Sequence, residues 1–147
     1  MELREYFETN PDSLPYLERL ESEWDQYGKI IIGCDYDDTI SPWKMENFNP
    51  KRILEVLKVA RETGAYIVIF TSCDKARYPE IEDYCKKIGL TIDSINENPI
   101  DLPYGKKGKI YANIFLDDRG GMNESLNILE MATYRIRGKR RILGTNV

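Results

Sequence analysis

The hydrophobic pattern changes period several times along the chain, and each change marks an element. Residues 13–28, SLPYLERLESEWDQYG, place Leu17, Leu20, Trp24 and Tyr27 at helical spacing, with Ser13 as a candidate N-cap and Gly28 as a stop. Residues 29–36 are apolar at successive positions, the mark of a strand covered on both faces in a parallel sheet. After the linker SPWKMENF, Asn49 and Pro50 open a helix to about residue 62 with Ile53, Leu54, Leu57 and Ala60 inward, and Gly64 ends it. Residues 65–72, AYIVIFTS, read as a second buried strand. The following CDKARYPEIEDYCKKIG leads into a helix carrying Ile81, Tyr84, Cys85 and Ile88. A short strand, LTIDSI, a turn-rich loop over residues 96–109, a strand within YANIFLDDRGG and a helix over about residues 123–134 complete the pattern.

This β–α alternation predicts an α/β domain built on an open parallel sheet with right-handed crossovers. With 147 residues and 41% hydrophobic content, one domain is expected. It divides into a helical extension (1–28), a core (29–134) and a basic tail (135–147) rich in Arg135, Arg137, Lys139, Arg140 and Arg141. That tail reads first as a solvated, frayed terminus and second as a contact for a polyanion such as nucleic acid.

Composition narrows the chemistry. A net charge of −4 argues against a surface built throughout for nucleic acid or anionic membrane. Without a membrane-length apolar run or a signal-like N-terminus, a cytoplasmic protein is expected. Cys34, Cys73 and Cys85 lack metal-ligand spacing, and Cys34 and Cys85 fall where core packing is expected. The absence of histidine removes the usual general base and the usual nitrogen ligand for zinc. Acid–base chemistry then falls to carboxylates, and a metal site to oxygen donors.

In an open α/β sheet, ligands bind beyond the carboxyl ends of the strands. Those ends carry Asp35, Asp37 and Thr39, then Thr71 and Ser72, then Asp117 and Asp118, with Lys106, Lys107 and Lys109 just before the last strand. Each carboxylate alone reads equally well as a helix cap or a solvent-facing loop residue. Asp35, Asp37 and Asp38 lie within four positions, and like charges so close resist desolvation unless a cation or donors neutralise them. With Asp117 opposite, they suggest a hard oxygen cage of the kind Mg²⁺ accepts. A threonine hydroxyl and a lysine suit the oxygens of a phosphoryl group, and a carboxylate beside the metal can act as nucleophile.

DYDDT at residues 35–39, the strand IVIFT ending in Thr71, a lysine before the last strand and FLDD ending in Asp117 and Asp118 resemble, in order, the four motifs of the haloacid dehalogenase (HAD) superfamily of phosphohydrolases. The resemblance covers about residues 29–130. It implies a three-layer, Rossmann-type fold, a phosphomonoester substrate and an aspartyl-phosphate intermediate. It also implies that Asp35 is the nucleophile, Asp37 the acid–base group, and Thr71 with Ser72 and Lys107 or Lys109 the phosphate-binding group. Asp35, the Asp37 carbonyl, Asp117 and Asp118 would hold Mg²⁺. LDDR further resembles the fourth motif of the 5′(3′)-deoxyribonucleotidase branch, which favours Lys107 and nucleotide or nucleic-acid-end substrates. Asp38 departs from the glycine common at that position, which bears on the turn that follows. Neither interval that carries a cap in relatives has room for a large one. An open site of that kind suits a macromolecular substrate or closure by a second copy of the chain.

Three other readings compete. A non-catalytic module of the same fold would be expected to lack Asp35 or Asp37. A receiver domain needs an acceptor aspartate after the third strand, where the chain has Asn96. A metal-dependent nuclease remains the enzymatic rival. Trp43, Lys44 and Phe48 lie in the linker after the first motif, where they either overhang the cleft or pack on the core.

Overall fold

The computed structural model describes residues 2–100 and 111–144. Helix α1 (Leu3–Thr9) and a 3₁₀ turn (Pro11–Ser13) precede α2 (Leu14–Tyr27). Then come β1 (Ile30–Asp35), α3 (Lys51–Glu62), β2 (Ala65–Phe70), α4 (Tyr78–Lys87), β3 (Ser94–Ile95), β4 (Ile114–Leu116) and α5 (Met122–Ile142). The four strands form one all-parallel sheet in the order β3-β2-β1-β4. This is the expected α/β class, compatible with a Rossmann-like fold. Among the described residues, no helix is long and apolar enough to cross a membrane.

Alternation along β1 builds the core. Ile30, Ile32 and Cys34 join Ile67 and Ile69 of β2, Leu116 of β4 and helix residues Leu17, Trp24, Leu57, Ile81 and Leu129 in one buried cluster. On the opposite face Ile31 and Val68 are fully buried beneath Tyr66, Phe70, Ile100, Tyr111 and Ala112. Gly33 is required there. A Cβ on it would fall 2.3 Å from Phe70 Cε2 and 2.8 Å from Phe115 Cδ1, so the two rings meet over a bare backbone. Cys34 and Cys85 are buried free thiols, as their positions in the pattern suggest.

Two elements differ in extent from the expectation. The strand expected over LTIDSI pairs only at Ser94 and Ile95, because the Asp93 carboxylate accepts the Ile67 N–H at 2.8 Å where a ladder carbonyl would sit. Arg61 pairs with the same carboxylate at 3.0 Å. On the other side of the sheet Asn113 plays the same part, its Oδ1 accepting the Ile31 N–H at 2.7 Å and its Nδ2 donating to Glu23.

The last helix does not stop near Tyr134 but runs to Ile142, so most of the basic tail is helix. Ile136 is buried at 2% exposure. The basic residues on either side of it reach back to the body: Arg135 to Glu21 at 2.9 Å, Lys139 to Asp25 at 3.2 Å, and Arg140 to the carbonyls of Gly28 and Thr63. Each exposed pair adds little alone, and the buried Ile136 carries the attachment. Ile136→Ala should therefore cost about 2–5 kcal/mol in chemical denaturation. A change near zero would restore the frayed tail.

Candidate metal centre

β1 leads to β2 on one side and is flanked by β4 on the other, so the chain's direction of winding reverses between β1 and β4. That reversal opens a crevice at the carboxyl ends of those two strands. Asp35 is the last residue of β1, and Asp117 and Asp118 directly follow β4. One carboxylate oxygen from each lies within 4.8 Å of the others, which gives a cluster able to hold a metal ion.

Thr39, fully buried, ties the two strand ends together. Its hydroxyl donates to Asp35 Oδ2 at 3.2 Å and accepts the Asp118 N–H at 3.3 Å. Arg119 N–H donates to Asp117 Oδ1 at 3.0 Å. Asp35 pays for the crowding in its acidity. Desolvation, a hydrogen bond that protonated Asp35 donates to Asp118 and the charges of Asp117 and Asp118 raise its pKa from 3.8 to about 7, against the lowering effect of Thr39. Three hard oxygen donors in a site that resists carrying full negative charge suit a hard divalent cation.

The other sequence candidates distribute around this centre. The Asp37 carboxylate is not part of the cluster, and Asp37 forms an isolated bridge with Ser41. The implied metal contribution of Asp37 is its carbonyl, which a cluster of carboxylates does not address. Thr71 stands one residue beyond Phe70, the register partner of Asp35. Its hydroxyl accepts the Cys73 N–H at 3.3 Å, and Ser72 is exposed. Lys106, Lys107 and Lys109 lie outside the described residues.

The parts played by two side chains escaped the sequence reading. Asn96, at φ 54°, brackets the Thr71 peptide: Oδ1 accepts its N–H at 3.0 Å while Nδ2 donates to its carbonyl at 2.7 Å and to Tyr78 Oη. The second is Asp38, whose departure from glycine is accommodated by its own side chain. Its backbone takes the left-handed conformation, φ 59°, and its carboxylate accepts the N–H groups of Trp43, Lys44 and Met45 at 2.8, 3.0 and 3.1 Å. Desolvation opposes ionisation of Asp38, but those three donors and the charge of Arg119 outweigh it and hold the pKa below its ordinary value. An aspartate followed by polar turn residues is the only sequence signal for such a loop.

Comparison with protein-family models, curated protein sequences and solved structures finds no match to this chain.

The raised pKa of Asp35 sets a pH dependence. The folded protein keeps a proton that the unfolded chain releases, so the metal-free fold loses stability as pH rises from about 4 to about 7 and levels off above. Asp35→Asn removes that loss. Without divalent metal its melting temperature should exceed wild type by roughly 3 °C at pH 8, with the difference vanishing near pH 4. A constant difference across that range would mean that Asp35 ionises normally.

Proposed function

We propose that this chain is a Mg²⁺-dependent phosphomonoesterase of the HAD type that works through an aspartyl-phosphate on Asp35. The observation that carries the reading is the meeting of Asp35, Asp117 and Asp118 at the crevice between β1 and β4. The parallel sheet and the order of the motifs agree with it. Mg²⁺ held by Asp35, Asp117, Asp118 and the Asp37 carbonyl would neutralise the charge shared by nucleophile and phosphoryl oxygens.

The chain's own groups do the rest. Asp35 attacks phosphorus while Asp37 gives its proton to the departing oxygen, and Asp37 then takes a proton from the water that releases phosphate. An acid–base carboxylate must stay outside a metal's coordination shell to carry a proton, and Asp37 stands apart from the three clustered carboxylates. The Thr71 hydroxyl, Ser72 and Lys107 or Lys109 hold the phosphoryl oxygens. Asn96 fixes the peptide of Thr71 from both sides.

No cap stands among the described residues in either interval: α3 alone follows the first motif, and α4 with β3 follows the second. An open site suits a substrate end presented by a larger molecule. The α5 basic residues support nucleic-acid binding less than their sequence suggests, since Arg135, Arg137 and Lys139 face Glu21, Glu62 and Asp25.

Phosphate release from p-nitrophenyl phosphate and a panel of nucleotide, sugar and oligonucleotide monophosphates tests the reading. Activity should require Mg²⁺, vanish with EDTA and fall at least about 10³-fold in Asp35→Asn. Full activity in that variant would remove the nucleophile assignment. Cleavage of intact diesters would favour the nuclease, and metal binding without turnover the non-catalytic module.

A further inference from the structure

Three chain segments meet where β2 ends. Asn96, directly after β3, donates its backbone N–H to the Ile69 carbonyl at 2.8 Å and then turns with φ 54°. From that turn its side chain pairs with Thr71 as a neighbouring strand would, Oδ1 accepting the Thr71 N–H at 3.0 Å and Nδ2 donating to the Thr71 carbonyl at 2.7 Å. The second hydrogen of the amide goes to Tyr78 Oη, at 2.9 Å, on the first residue of α4. Both hydrogens and the oxygen of the Asn96 amide are therefore engaged.

This pairing carries β2 one residue past its ladder, towards the crevice. Phe70 is the register partner of Asp35, so the bracketed peptide follows the residue that stands beside Asp35 on the adjoining strand. The same bonds settle which donors the turn after β2 keeps. Asn96 takes the Thr71 N–H, and the Thr71 hydroxyl oxygen takes the Cys73 N–H at 3.3 Å. An oxygen that accepts from Cys73 still has its own proton to donate. Glycine would adopt the left-handed turn at no steric cost, so the turn alone does not call for asparagine. The amide does, because a glycine would leave the Thr71 peptide with neither bond.

We propose that Asn96 and Tyr78 are positioning residues for a phosphoryl group: Tyr78 holds the Asn96 amide, and the amide holds the Thr71 peptide so that its hydroxyl donates to a phosphoryl oxygen. The proposal rests on the phosphomonoesterase reading for the identity of that anion. Both residues act through Thr71.

Calorimetry on the full chain tests it with two probes, Mg²⁺ alone and inorganic phosphate in the presence of Mg²⁺. Asn96→Gly keeps the turn and loses the bracket, while Asn96→Asp still accepts from the Thr71 N–H but sets a carboxylate against the Thr71 carbonyl. Each should weaken phosphate binding about tenfold, and Tyr78→Phe, which removes one partner of the amide, about threefold. Mg²⁺ alone should bind Asn96→Gly and Tyr78→Phe as it binds wild type, since the clustered aspartates are untouched. Equal losses of phosphate and Mg²⁺ affinity would mark a merely structural role and overturn the proposal, as would a wild type that binds no phosphate. Phosphate binding that weakens as expected, in a protein that releases phosphate from no ester, would keep the positioning pair and overturn the phosphatase. Turnover of p-nitrophenyl phosphate with KM and phosphate affinity indifferent to all three substitutions would keep the phosphatase and overturn the pair.

Discussion

Three carboxylates brought within a few ångströms by two neighbouring parallel strands are the constraint on which the rest depends. β1 and β4 must end side by side, because the winding of the sheet reverses between them, and their ends are Asp35 and the Asp117–Asp118 pair. Left alone, that arrangement works against folding, and the raised pKa of Asp35 reflects the conflict. The three carboxylates could together hold a metal ion. A divalent cation held there would convert their mutual repulsion into shared attraction.

The surrounding structure holds this edge with side chains that stand in for backbone. Thr39 bridges the ends of β1 and β4, Asn96 brackets the peptide of Thr71, and Asp38 collects three consecutive N–H groups. Asp93 and Asn113 take over ladder positions on either side of the central strands. The outer strands are only two and three residues long, so these bonds replace pairing that a longer ladder would supply. Short polar side chains at strand ends thereby set the site's geometry, while the apolar interior of β1 and β2 fixes where that edge lies.

Much of this was legible in the residues themselves. Buried strands over AYIVIF and IIIGCD announce themselves by continuous apolar character, and the chemistry-bearing positions follow from where those runs stop. What escaped was set by tertiary contact. The second half of α5 carries charges and a glycine in place of a dense apolar stripe, so its pattern resembles a solvated tail until Glu21, Asp25 and the Gly28 and Thr63 carbonyls are seen opposite. Asp93 carries no mark of having replaced a backbone acceptor. Asp38 stood out in the sequence only as a departure from glycine that bears on the turn, whereas its carboxylate organises the loop that its left-handed backbone begins. Apolar periodicity reports burial; it does not report which partner a polar side chain finds.

The proposed cation site at the aspartate cluster would be held partly protonated until a cation enters. Calorimetric titration of Mg²⁺ into the protein at pH 6.5, in two buffers of different ionisation enthalpy, tests it most directly. With Asp35 titrating near pH 7, binding should release roughly half to one proton per ion and weaken sharply in Asp117→Asn. Absence of binding heat in both buffers, or binding with no proton release and no effect of that substitution, would contradict the account.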